Sequence, residues 1–213
     1  MIPIVAIDGP SGSGKGTIAK LLALDLGWNY LDSGLIYRCY AYLLKNKIKD
    51  IKEEISSIKH EFDALNEKII YKDRDITIDI RSAEISMLSS EISQQQHVRD
   101  DLFEIQKSFL KEPGLVAEGR DMSSRLFPES KVQIFLTASL EERLSRRLNQ
   151  LRNHGQKVNI SKLKDELTIR DQRDSQREAS PLTKTANSIT VDNTNETVEE
   201  TLSLIKKIIN ERY

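Results

Sequence analysis

Ile2-Pro3-Ile4-Val5-Ala6-Ile7-Asp8-Gly9-Pro10-Ser11-Gly12-Ser13-Gly14-Lys15-Gly16-Thr17 joins a short run rich in β-branched residues to a glycine-rich turn. Beyond it, Ile18, Leu21, Leu22 and Leu26 fall at helical spacing. The order is strand, loop, helix. In that setting the match to G-x-x-x-x-G-K from Gly9 to Lys15 means a phosphate cradle. The glycines let backbone N–H groups converge, and the helix N-terminus adds a favourable dipole. Lys15, expected to be exposed in the loop, brings a point charge to the bound phosphates. Gly16 stands where a Ser or Thr that helps to hold Mg²⁺ usually sits, which leaves Thr17 as the available hydroxyl. A glycine-rich turn with a surface lysine would account for the string alone, but not for the strand before it and the helix after it.

Further apolar runs without strict alternation, Leu115 to Ala117, Val132 to Leu136 and Ser188 to Val191, suit parallel strands buried on both faces. Between them lie helical patterns: Val98, Leu102, Ile105 and Phe109, and later Val198, Leu202, Ile205 and Ile209. Thr197 is placed to cap the last helix, with Glu200 completing a capping box. Strands alternating with helices predict a doubly wound α/β sheet. The exception is Lys68 to Ile80, where Ile69-Ile70-Tyr71 and Ile76-Thr77-Ile78 flank the polar Lys72-Asp73-Arg74-Asp75. That pattern predicts a β-hairpin inside an insertion.

With 213 residues, 38% of them apolar and 31% charged, the chain suits one globular domain with a full core. Its 32 basic and 33 acidic side chains nearly cancel, so neither nucleic acid nor an anionic membrane is expected as the main partner. Any anion site must be local. Cys39 has no disulfide partner, and the opening residues run into an apolar strand with no basic leader; both point to the cytoplasm. No apolar run approaches the roughly 20 residues that span a bilayer. His60, His97 and His154 lack metal-ligand spacing and are expected at the surface, so no metal cage is predicted. Cys39 is expected as a small core residue, not a nucleophile.

Arg143 to Arg177 holds ten basic residues against four acidic ones, a local charge of +6. Alone it would pass for a solvated helical hairpin; beside a phosphate loop it makes sense as a lid that closes over a nucleotide and excludes water. Phosphoryl transfer asks for positive groups around the moving phosphoryl and for no nucleophilic side chain. A phosphorylated acceptor needs its own clamp, for which guanidinium is suited by its bidentate fork. Arg38, Arg120 and the cluster Arg170, Arg173 and Arg177 are the sharpest candidates, although a lone arginine in so charged a chain is more often a solvated surface residue.

Four stretches together resemble the bacterial cytidylate kinase family. They are Ile7 to Thr17, Leu31-Asp32-Ser33-Gly34-Leu35-Ile36-Tyr37-Arg38, Glu118-Gly119-Arg120-Asp121-Met122 and Arg170-Asp171-Gln172-Arg173-Asp174-Ser175-Gln176-Arg177. The resemblance spans nearly the whole chain and is weakest from about Lys45 to Ser86. It implies an α/β fold: a P-loop NTPase-type doubly wound parallel sheet with an inserted NMP-binding subdomain and a helical lid. All three would form one kinase domain, with a core of residues 1–34, 101–144 and 178–213, the insertion at 35–100 and the lid at 145–177.

The resemblance also implies ATP bound along Gly9, Pro10, Ser11, Gly12, Ser13, Gly14, Lys15, Gly16 and Thr17, with CMP, or dCMP, as acceptor. By position, Ser33, Arg38, Arg120 and Arg177 hold the acceptor phosphate. Ser90, Arg99 and Asp121 read the cytosine ring, and Arg170 with Asp174 takes the sugar hydroxyls. Lys15, Arg120, Arg173 and Arg177 form the catalytic set. Mg²⁺ accompanies ATP, with Thr17 as its candidate protein ligand, and a monomer is expected. The chain departs from the family at Ser123-Ser124-Arg125, where glycine and an apolar residue are usual, so the approach beside Asp121 is expected to differ slightly.

A kinase for another nucleotide would carry the same loop. A GTPase-like switch wants Asn-Lys-x-Asp after a strand, and the nearest string, Asn46-Lys47-Ile48-Lys49-Asp50, has the wrong spacing.

Overall fold

In the computed structural model, which describes residues 1–153 and 158–213, the opening strand β1 (Ile4–Asp8) lies in the middle of a five-stranded sheet. It leads through the glycine-rich turn into α1 (Lys15–Leu26), then β2 (Asn29–Asp32) and α2 (Ser33–Lys45). An excursion follows: α3 (Ile51–Glu54), the antiparallel strands β3 (Lys59–Phe62), β4 (Glu67–Tyr71) and β5 (Arg74–Asp75), and the helices α4 (Thr77–Ile80), α5 (Ala83–Ile92) and α6 (Gln96–Lys107). The chain re-enters the sheet as β6 (Leu115–Gly119), turns tightly at Met122–Leu126 and continues as β7 (Val132–Thr137). Helices α7 (Leu140–Asn153) and α8 (Ile160–Gln176) precede β8 (Ile189–Asp192) and α9 (Val198–Arg212).

The strand order is β2-β6-β1-β7-β8, and every neighbouring pair is parallel. Alternate residues of a strand point to opposite faces, and here both faces are dry. Ile4, Ala6, Leu31, Leu115 and Ala117 pack on one side with Leu43 of α2, Ile85 of α5 and Leu102 of α6. Val5, Ile7, Tyr30, Val116 and Ile134 pack on the other with Ile18 and Leu22 of α1 and Ile205 of α9. This two-sided burial is why the strand sequences do not alternate. Successive strands leave β1 towards opposite edges, so a crevice opens past the carboxyl ends of β1, β2 and β6, the usual ligand site of such sheets.

The expected capping box is present, with Thr197 Oγ1 accepting from Glu200 N at 3.2 Å and Glu200 Oε2 accepting from Thr197 N at 2.8 Å. Cys39 is buried, and burial pushes its thiol up to about 12. Three expectations need correcting. The hairpin turns at Lys72 and Asp73, both with positive φ, and its second arm ends at Asp75 instead of running to Ile78. Asp75 accepts from the backbone and hydroxyl of Thr77, which starts a helical turn, while the Thr77 hydroxyl accepts from Ile69 N in place of a strand carbonyl. His60 is not a free surface residue: it sits against Phe62 and Tyr30 and bonds Glu67. Lys15 is buried, not exposed, because it begins α1 beneath the cleft. His97 is exposed as expected; His154 and Lys157 lie outside the described residues. Among the described residues, no helix is long and apolar enough to cross a membrane.

Candidate active site

A β-carbon at Gly9 would stand 2.1 Å from Leu136 O, so only glycine lets the chain leave β1 this close to β7. Gly12 and Gly14 hold φ values of 78° and 87°, left-handed conformations that wrap the loop around its own amides. Lys15 Nζ donates to Pro10 O at 3.3 Å and stands 3.9 Å from Glu118 Oε2. Burial, with the charge of Arg120 added, pulls its pKa down to about 8. A β-carbon at Gly16 would approach Glu118 Oε1 to 3.3 Å, so the missing side chain there makes room for Glu118. Burial, reinforced by Asp32, pushes the Glu118 carboxyl up.

The loop forms one end of a cleft of about 1000 Å³ whose other walls come from α2, α5, the end of β6, α7 and α8. At the end of β6, Arg120 Nε donates to Asp174 Oδ2 of α8 at 2.7 Å. Next to it, Arg99 of α6 donates to Asp121 Oδ2 at 2.7 Å, and both side chains are buried. The Arg99 guanidinium also lies 5.6 Å from the Tyr37 ring centroid and donates to Ser93 O at 2.7 Å. This pair presents a donor and an acceptor side by side to the cleft.

Around it the cations are crowded. Burial and the neighbouring Arg120 lower Arg170 to about 10, and burial and Arg99 lower Arg177 to about 10. Among the described residues, Arg170 Nε and Arg177 Nη2 are buried donors without a partner. Positive groups held close, partly desolvated and short of acceptors are what an anion relieves. Arg38 lines the same wall, as does Arg147, which burial and the charge of Arg38 hold below the usual arginine value.

Of the residues expected at the site, Ser11, Gly12, Gly14, Lys15, Gly16, Thr17, Ser33, Arg38, Ser90, Arg99, Arg120, Asp121, Arg170, Asp174 and Arg177 line this cleft. Gly9, Pro10 and Ser13 belong to the loop but are not part of the lining. Arg173 is outside the lining and donates to Ser90 Oγ at 3.1 Å, joining α8 to α5. Gln106 was not anticipated: it is buried, and its Oε1 accepts from Ser33 Oγ at 2.7 Å. Only the helical spacing of α6 hinted at its inward position. Among the described residues, no group of three or more His, Cys, Asp or Glu could hold a metal. The oxygens of Thr17, Asp32 and Glu118 on the cleft wall suit a Mg²⁺ held mainly by nucleotide phosphates and water.

Comparison with known proteins assigns the chain to a family. The family model described as cytidylate kinase matches residues 5–211. The chain belongs to the cytidylate kinase family. The cytidylate kinase of Stutzerimonas stutzeri (strain A1501) is 41% identical over 221 residues, covering 99% of this chain and 96% of that protein. That of Pseudomonas putida strain KT2440 is 40% identical, covering 100% and 97%. That of Pseudomonas syringae pv. tomato is 42% identical, covering 95% and 93%. The amides of Met122 and Ser123 both donate to the Asp8 carboxylate at 2.8 Å, fixing the turn that carries Asp121 to the end of β1.

Proposed function

We propose that the chain transfers the γ-phosphoryl group of ATP to cytidine monophosphate, and to its deoxy form, as a cytoplasmic monomer. The observation that carries the reading is the meeting of two anion clamps in one cleft, the phosphate loop with Lys15 and the guanidinium donors of Arg170 and Arg177, which have no partner among the described residues.

Under this reading ATP lies on the loop from Gly9 to Thr17. Ser33, Arg38, Arg120 and Arg177 hold the acceptor phosphate, Arg170 and Asp174 the sugar, and Ser90, Arg99 and Asp121 the base. The core comprises residues 1–34, 101–144 and 178–213, the acceptor-binding insertion 35–100 and the lid 145–177. Thr17, with Asp32 and Glu118 nearby, would hold the Mg²⁺ that accompanies ATP. When bound, the cation neutralises phosphate charge. The protein supplies position and field: Lys15, Arg120 and Arg177 surround the passing phosphoryl, Arg173 joins them by leaving Ser90 as the lid closes, and the lid keeps water out.

The test is a panel of nucleoside monophosphates with Mg-ATP. CMP and dCMP should exceed UMP, AMP and GMP in kcat/KM by at least about a hundredfold, the scale set by polar mismatch in a buried site. Equal turnover of all five, or of none, would overturn the reading.

A further inference from the structure

The polar groups of the phosphate loop are sorted by direction. Ser11 O accepts from Arg143 Nη1 at 3.0 Å, and Ser13 O accepts from Arg146 Nη1 at 3.2 Å and Asn193 Nδ2 at 3.1 Å. These carbonyls are taken up by donors on α7 and after β8, so they do not compete with loop amides for an anion. The Ser11 amide is handled differently. It donates to Asp171 Oδ1 of α8 at 3.4 Å, and Asp171 Oδ2 accepts from the same Arg143 guanidinium.

One ion pair, drawn from two helices, therefore holds both the N–H and the C=O of Ser11. Arg143 is itself fixed, with its Nε donating to Ala138 O at 3.1 Å. A β-carbon on Gly12 would lie 3.2 Å from Arg143 Cβ, so the loop rests directly on α7. Neither Arg143 nor Asp171 lines the cleft, so the carboxylate acts from behind the loop and does not confront the phosphates.

We propose that Asp171 and Arg143 are positioning residues for the nucleotide donor: their ion pair holds Ser11 and Gly12 in the shape that receives phosphate and ties that shape to the packing of α7 on α8. The inference rests on the assignment of the loop to ATP. It favours the donor over the acceptor, because both members of the pair bond the loop at Ser11 and neither lines the cleft. Arg38, Arg99 and Asp121, by contrast, sit on α2, α6 and after β6, and the acceptor groups carried with Asp171 on α8 and at its end, namely Arg170, Asp174 and Arg177, line the cleft.

The experiment is steady-state kinetics of Asp171→Ala, Asp171→Glu, Arg143→Ala and the double variant, with ATP and CMP varied separately. Asp171→Ala should raise KM for ATP about tenfold and KM for CMP by less than about twofold, the signature of lost donor-side binding. Asp171→Glu should recover most of the loss. The double variant should fall within about twofold of the worse single one, because the two groups act as a unit. Where Asp171→Ala does not fold, the isosteric Asp171→Asn carries the same comparison. A pair that merely joins two helices would lower the melting temperature and move both KM values alike or neither, and either result overturns the proposal. A wild type that phosphorylates no monophosphate overturns the ATP assignment together with the inference. A wild type with normal turnover, beside variants of unchanged KM for ATP, overturns the inference alone.

Discussion

Lys15 is a buried ammonium whose nearest carboxylate oxygen, Glu118 Oε2, lies 3.9 Å away, beyond hydrogen-bond reach. A phosphate in the loop meets that charge. Lys15→Ala is therefore expected to cost on the order of 3–4 kcal/mol, or about a hundredfold to a thousandfold in rate. Its melting curve should stay close to that of the wild type, since a desolvated and poorly paired cation adds little stability. Near-normal kcat would remove Lys15 from the mechanism. Asp121 makes the complementary case on the acceptor side. Cytosine offers a ring nitrogen that accepts and an amine that donates, matching Arg99 and Asp121; uracil reverses both. Asp121→Ala is a poor probe, because it strands Arg99 as a buried charge without its partner. Asp121→Asn keeps the shape and can turn its amide towards the base. It should lower kcat/KM for CMP by more than about tenfold while activity on UMP falls less or rises. Equal losses on the two acceptors would assign Asp121 to the fold instead of the base.

The excursion of β3, β4 and β5 stands on a small polar knot. Glu67 Oε1 bonds His60 Nε2 at 2.8 Å across the strand pair, and Oε2 accepts from Arg81 just after α4. Burial alone would raise the Glu67 pKa, but the His60 bond and the Arg81 charge outweigh it and hold the carboxyl down at about 2. A depressed carboxylate adds stability that is fully present above its unfolded value of 4.5 and is lost as pH falls through about 2. Glu67→Gln should therefore melt below the wild type near neutral pH, and the gap should close between about pH 4.5 and pH 2. A gap of constant size over that range would mean that Glu67 acts by packing. The short strands here show where pattern reading stops. Lys59-His60-Glu61-Phe62 offers one aliphatic-free, half-exposed face and so gives no hydrophobic signal as β3. Ile76-Thr77-Ile78 looks like a second hairpin arm until Asp75 draws Thr77 into a helical turn. The parallel strands were legible because burial on both faces leaves long apolar runs, and α9 because its capping box is local.

Across the molecule, the phosphate loop could be read from the sequence because all its parts are neighbours in the chain. The pairs that finish the cleft join distant positions: Arg120 meets Asp174 across 54 residues, Arg173 meets Ser90 across 83 and Ser33 meets Gln106 across 73. No local pattern encodes such meetings. They arise only when the sheet brings α6, α8 and the end of β6 to one crevice. The same contacts set how α8 should move. Its C-terminal half is tied down by Asp171, Arg173 and Asp174. Its N-terminal half buries only Leu163 and Leu167 and leaves Ile160 and Ile169 exposed, so few apolar contacts oppose its opening. Under the proposed function, a bisubstrate analogue fills both anion clamps and draws the lid inward. Amide exchange should then slow most from Ile160 to Ile169 and least around Asp174, where the ion pairs already restrain the helix without ligand. Uniform slowing along α8 would mean that the helix moves as one rigid piece about a hinge outside it. Equal exchange with and without the analogue would mean that the lid does not respond to substrate at all, and its charge would have to act from a fixed position.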